Sequence, residues 1–218
     1  MTDAVFLDYT GTVTQEGGPD IMEMADRVVE NSSAKDIPSI FEWWFRNLRV
    51  LEQNSYGASF ISEEEITGML LKMAEQEFGL RENLEELVQL NRNFWMYAPV
   101  FSDVKPFLEQ CGKPVYLITN NSAKYVRICL KRNGLHVNGI ISGDMVKAYK
   151  PHKELFEKAL EVSGCSNGNA LMIGDSISSD VEGAQAAGMN AVLIDRKKKV
   201  KDAPCKVIYS LNDALRLL

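Results

Sequence analysis

From Ser102 to the C-terminus, short apolar runs alternate with helical stretches, and that alternation constrains the fold more than any other feature. Runs at 115–119, 140–142, 170–173, 191–194 and 207–209 are short, apolar and bounded by turn residues, so they predict strands. Between them, 103–111, 123–133, 152–163, 178–187 and 212–218 predict helices, several stopped by glycine: Gly112, Gly134 and Gly188. Strand-helix alternation implies parallel β-α-β units. One more apolar run, Ala4-Val5-Phe6-Leu7, stands apart near the N-terminus and ends at Asp8. The zone between, residues 20–97, predicts helices alone. Ile37, Ile40, Phe41, Trp44, Leu48 and Leu51 recur at helical spacing, and Ser62 with Glu65 forms a capping box. The expected architecture is therefore α/β, a doubly wound, Rossmann-like parallel sheet that takes back its isolated first strand and carries a helical insertion.

Composition narrows the function classes. At 218 residues the chain fits one domain, or a core with one inserted lobe. Lys plus Arg is 24 against Asp plus Glu 30, a net charge of -6, so no global basic field exists to hold nucleic acid. No apolar run approaches the 18 or so residues of a membrane span. The acidic start, Met-Thr-Asp-Ala-Val-Phe-Leu-Asp, is unlike a signal peptide. Cys111, Cys129, Cys165 and Cys205 are scattered and form no C-x-x-C pair, which suits free thiols in a cytoplasmic protein.

In sheets of this kind, ligands sit at the carboxyl ends of the strands. Four such places carry reactive groups here: Asp8-Tyr9-Thr10-Gly11-Thr12, Thr119-Asn120-Asn121-Ser122, Lys150-Pro151, and Gly174-Asp175-Ser176 followed by Asp180. Each alone is a turn, a helix cap or a surface lysine. Together and in this order they resemble the haloacid dehalogenase (HAD) superfamily of hydrolases, in its phosphatase-like branch with a helical cap. The resemblance covers residues 4–13 and roughly 100–195. It implies a catalytic core of residues 1–13 and 99–218, and a cap of residues 14–98.

The resemblance also implies roles. Asp8 is the expected nucleophile, forming an aspartyl-phosphate. Asp8, Asp175 and the backbone carbonyl of Thr10 are the expected Mg²⁺ ligands, with Asp180 behind them. Thr119 and Asn120 are expected to hold phosphate oxygens, and Lys150 to neutralise Asp8 and the phosphoryl group. The implied partner is a small phosphorylated metabolite. Two separated carboxylates and a hard, oxygen-loving cation suit that chemistry, because an anionic ester resists an anionic nucleophile.

Thr10 departs from the family pattern, in which most phosphatases carry a second Asp as general acid and base. A threonine hydroxyl supplies no proton near pH 7, and losing a general acid costs about 10²–10⁴-fold. Three readings stay open at this point: a Mg²⁺-dependent phosphatase, a catalytically weak or regulatory protein on the same fold, and a metal-independent 2-haloacid dehalogenase. Gly174-Asp175-Ser176 favours a metal and phosphate. The absence of lysine between Lys35 and Lys72 speaks against Schiff-base chemistry in the cap.

Within the cap, Phe41 and Trp44 belong to the apolar stripe, and Trp43 is expected off it. Arg46 and Arg49 are candidates to meet an anionic substrate. The polar loop 53–60, with Tyr56, is a candidate cleft wall. His136 and His152 lie outside the motifs, and the basic run 196–201 reads as a solvated loop.

Overall fold

The computed structural model describes residues 2–218. Its core is one six-stranded, all-parallel sheet: β1 Ala4–Leu7, β2 Val115–Thr119, β3 Gly139–Ser142, β4 Ala170–Gly174, β5 Asn190–Ile194 and β6 Lys206–Ile208. The spatial order is β3-β2-β1-β4-β5-β6, so the isolated N-terminal strand does return to the middle of the sheet. All four β1 residues are buried, and they alternate between two cores. Val5 and Leu7 pack with Leu117, Ile173 and Phe107 on one face; Ala4 and Phe6 pack with Ile118, Met172 and Phe156 on the other. A strand covered on both faces must be apolar at every position, which is why this run does not alternate polar and apolar.

The insertion after β1 is built of four helices, α1 Pro19–Glu30, α2 Ile37–Asn54, α3 Glu63–Phe78 and α4 Leu84–Tyr97. They bury a core of their own around Met24, Trp44, Leu70, Leu87 and Trp95, which also takes in Tyr125 and Tyr149 of the α/β part. Asp36 caps α2, and the Ser62–Glu65 capping box opens α3. The chain leaves and re-enters the core through paired segments: Gln15 N–H donates to Pro99 O (2.8 Å) and Phe101 N–H to Val13 O (3.1 Å). The remaining helices are α5 Val104–Gln110, α6 Ala123–Arg132, α7 Gly143–Val146, α8 Lys153–Ser163, α9 Glu182–Ala186 and α10 Leu211–Ala214.

Two local features differ from expectation. The helix expected over 178–187 begins as a π turn, Ile177–Val181, before α9. Trp43 is not off the helical core but within it, 4% exposed, with its indole N–H donating to Glu77 (2.8 Å). The insertion packs α2 against both α1 and α3, so more than one stripe of α2 is buried. Among the described residues, no helix is long and apolar enough to cross a membrane.

Candidate active site

The sheet order reverses at β1, and β1, β2 and β4 end side by side there. Leu7 pairs with Ile173, and the Asp8 N–H donates to Ile173 O (2.9 Å), so Asp8 leaves the sheet beside Gly174 and Asp175. Carboxylate oxygens of Asp8, Asp175 and Asp180 lie within 4.8 Å of one another. Two glycines make that approach possible. At Gly11, whose φ is +93°, a Cβ would meet the Asp175 carboxylate at 2.2 Å; at Gly174 it would meet Asp180 Cγ at 2.3 Å. No side chain fits either place.

Lys150 reaches the cluster from the segment after α7. Its Nζ donates to Asp8 Oδ1 (2.5 Å) and to Asp180 Oδ1 (2.6 Å), all three residues being buried. Asp180 is anchored further by the Ser176 N–H (3.0 Å). Burial pushes the Asp8 carboxyl up, Lys150 pulls it back and Asp180 adds to the rise, leaving it at about 6. Asp175 is pushed up to about 8 by burial, then by Asp8 and Asp180. Burial pulls the Lys150 ammonium down, but Asp180 and Asp8 outweigh it and hold it above its ordinary value.

The residues present fit a hard divalent cation. Asp8 Oδ2 is buried with no hydrogen-bond partner, an arrangement that is costly unless a cation completes it. The donor set is carboxylate oxygen, the class Mg²⁺ prefers.

Above β2, Thr119 is buried and its hydroxyl accepts from the Asn121 N–H (3.0 Å). The Asn121 side chain draws the site together: its Oδ1 accepts from the Thr10 hydroxyl (2.9 Å), and its Nδ2 donates to Glu63 of α3 (2.6 Å). The Asn120 Oδ1 accepts from the Lys150 N–H (2.8 Å), and its Nδ2 donates to Glu52 of α2 (2.9 Å). A cleft of about 380 Å³ opens between the four-helix insertion and these strand ends. Asp8, Thr10, Thr119, Asn120, Lys150, Asp175 and Asp180 all line it. Its far wall is apolar, with Met24, Ile40, Phe41, Trp44, Leu48 and Phe94.

Arg46 is not in the cleft wall; it is exposed to solvent. Arg49, three positions on and so rotated about 60° around the helix, does line it. Tyr56 is elsewhere too, stacked on His152 and donating to Glu154 (2.6 Å). Glu52 and Glu63 are site residues that sequence reasoning passed over, and Asn121, named within the second motif, was given no role of its own. The signal for Glu52 was present: it continues the Phe41–Trp44–Leu48 stripe at the next helical step, a carboxylate on an apolar face.

The sequence pattern of the haloacid dehalogenase-like hydrolases matches residues 2–188. The chain belongs to that family. It is 32% identical over 164 residues to Phosphatase MT3486 of Mycobacterium tuberculosis, covering 72% of this chain and 74% of that protein. Phosphoglycolate phosphatase 1 of Pseudomonas aeruginosa is 25% identical over 97% of this chain and 78% of its own length. The HAD phosphatase of Thermococcus onnurineus superposes with a TM-score of 0.69 at 26% identity, over all of this chain and 97% of that one. The L-2-haloacid dehalogenase of Xanthobacter autotrophicus superposes more closely, at 0.81, over all of this chain and 98% of that one. At 17% identity that likeness is one of fold alone. This HAD-family enzyme is thus a phosphatase-like hydrolase.

Proposed function

We propose that this enzyme is a Mg²⁺-dependent phosphatase that cleaves a small phosphorylated metabolite through an aspartyl-phosphate on Asp8, with Thr10 in place of the usual acid-base Asp. The observation that carries the reading is the Asp8 carboxylate: one oxygen is held by Lys150, and the other is buried, unpartnered and beside Asp175. Asp8, Asp175 and the Thr10 carbonyl would hold Mg²⁺, which supplies positive charge against the phosphoryl oxygens.

The protein's own groups account for the rest. Asp8 attacks phosphorus and the ester P–O bond breaks, leaving the phosphoryl group on the carboxylate. Lys150 balances the charge on Asp8 and the phosphoryl oxygens. The Thr119 hydroxyl and the backbone around Asn120 hold phosphate oxygens. Water then attacks the same phosphorus, releasing phosphate and restoring Asp8. Residues 14–98 act as the cap and residues 1–13 and 99–218 as the core, a division supported by the paired crossing segments 13–15 and 99–101. The apolar far wall and the nearby carboxyls of Glu52 and Glu63 suit a substrate with an uncharged body.

The test is turnover of 4-nitrophenyl phosphate. Release should stop in chelator, return with Mg²⁺, and fall to background in Asp8→Asn, which keeps shape but removes the attacking charge. Chloride release from a 2-haloacid in excess chelator, with no phosphate release from any ester, would establish the dehalogenase reading instead.

A further inference from the structure

Thr10 leaves a phosphatase without the proton that a basic alkoxide needs as it departs. Two carboxyls from the insertion line the same cleft, Glu52 in the last turn of α2 and Glu63 in the first turn of α3. They are held differently. Glu63 is buried against Asn121, and its second oxygen is sealed from the cleft with no partner. Glu52 is partly buried and lines the cleft, and Asn120 grips one of its oxygens. Asn120 follows Thr119 directly and also accepts from the Lys150 backbone, so Glu52 is tied to the two segments that meet the phosphoryl group.

We propose that Glu52 is the general acid and base of this enzyme, brought from the cap to replace the missing core carboxylate. The proposal rests on the phosphatase reading above. In the first half-reaction Asp8 attacks phosphorus, the P–O bond to the leaving group breaks, and the Glu52 carboxyl proton passes to the departing oxygen. In the second, the Glu52 carboxylate takes a proton from water as that water attacks the aspartyl-phosphate. The P–O bond to Asp8 breaks and phosphate leaves. Ester and water become alcohol and phosphate, and Glu52 ends protonated as it began.

The electrostatics agree. Burial pushes the Glu52 carboxyl up, with Asn120, Lys150 and Arg49 pulling it back, to about 7, which suits a group that must give and take a proton near neutrality. Glu63 is raised well above the ordinary range, first by burial and then by Glu52. The charged and titratable groups facing Glu52 are Lys150 and Tyr149 from the core, Glu63 from α3 and Arg49 from its own helix.

The experiment compares the natural enzyme with Glu52→Gln on hexyl phosphate, whose leaving group needs a proton, and on 4-nitrophenyl phosphate, whose leaving group does not. Gln keeps the hydrogen bond to Asn120. With hexyl phosphate, kcat should fall about 10²–10⁴-fold in the variant. With the aryl ester, the first burst of nitrophenol should persist within about threefold while later turnover slows, because water attack has lost its base. In the natural enzyme kcat/KM for hexyl phosphate should decline as pH rises through about 7, and that limb should vanish in Glu52→Gln. Glu52→Asp, which retains a carboxyl, should recover part of the alkyl activity. Equal hexyl phosphate turnover by the natural enzyme and Glu52→Gln overturns the proposal. So does loss of alkyl turnover in Glu63→Gln with Glu52→Gln intact. A natural enzyme with no Asp8-dependent nitrophenol release would sink the phosphatase reading itself, and Glu52 with it.

Discussion

Asp175 carries a heavy electrostatic burden at the site. Its carboxyl sits beside two others and rises to about 8, so much of the metal-free protein keeps it protonated at neutral pH. A cation binding there must displace that proton, and apparent Mg²⁺ affinity should strengthen as pH rises from 6 to 9. Titrating Mg²⁺ calorimetrically into the metal-free protein checks this directly. Asp175→Asn should weaken binding by about 10–100-fold or more, since even outer partners of a metal are worth that much. Glu63 has a related signature in stability. Its raised pKa means the folded state binds the extra proton, so stability falls as pH climbs from the unfolded value toward the folded one. Glu63→Gln removes that slope. Its melting temperature should exceed the natural protein's increasingly above pH 5, and a difference independent of pH would show Glu63 charged in the fold.

At the scale of elements, α3 ties the insertion to the strand ends. Its capping box is complete: Ser62 accepts from the Glu65 N–H (3.3 Å), and Glu65 accepts from the Ser62 N–H (2.7 Å). The same first turn presents Glu63 to Asn121 and Glu64 to Tyr125, Lys124 and Arg92. Ser62→Ala should cost about 1 kcal/mol in urea unfolding. Because this turn spans the two parts, the same variant should raise KM more than it lowers kcat. The helical stripes and caps of this region were readable from spacing. The depth of Trp43 was not, because α2 packs on two neighbours, and periodicity reports one buried face rather than two.

Across the whole molecule, the cleft joins an anion-holding floor to a wall of apolar and acidic groups. Among the described residues, Arg49 is the only guanidinium in its lining, against carboxyls from Glu16, Glu52 and Glu63 outside the aspartate cluster. A substrate with an uncharged, apolar body should therefore be preferred over phosphoglycolate by about tenfold or more in kcat/KM. A side-by-side assay of phenyl phosphate and phosphoglycolate decides it, and faster turnover of the anionic ester would mean the two parts separate in solution enough to expose another wall.

The parallel sheet that takes back its first strand and the helical insertion were legible from local pattern, and the cluster Asp8–Lys150–Asp175–Asp180 through its family resemblance, at strand ends where a parallel sheet collects its reactive groups. The roles of Asn121, Glu52 and Glu63 were not legible, because spacing puts Glu52 on an apolar stripe but does not say what a polar side chain faces. Their roles come from where α2 and α3 come down on the end of β2, bringing residues 58 and 68 positions apart within hydrogen-bonding distance. Arg46 and Arg49 look equivalent in the chain and both are exposed, but the rotation of α2 against the core puts only Arg49 on the rim of the cleft. Sequence spacing states which side chains share a helix face. Only the packing of that helix against the strand ends decides which of them meets the substrate.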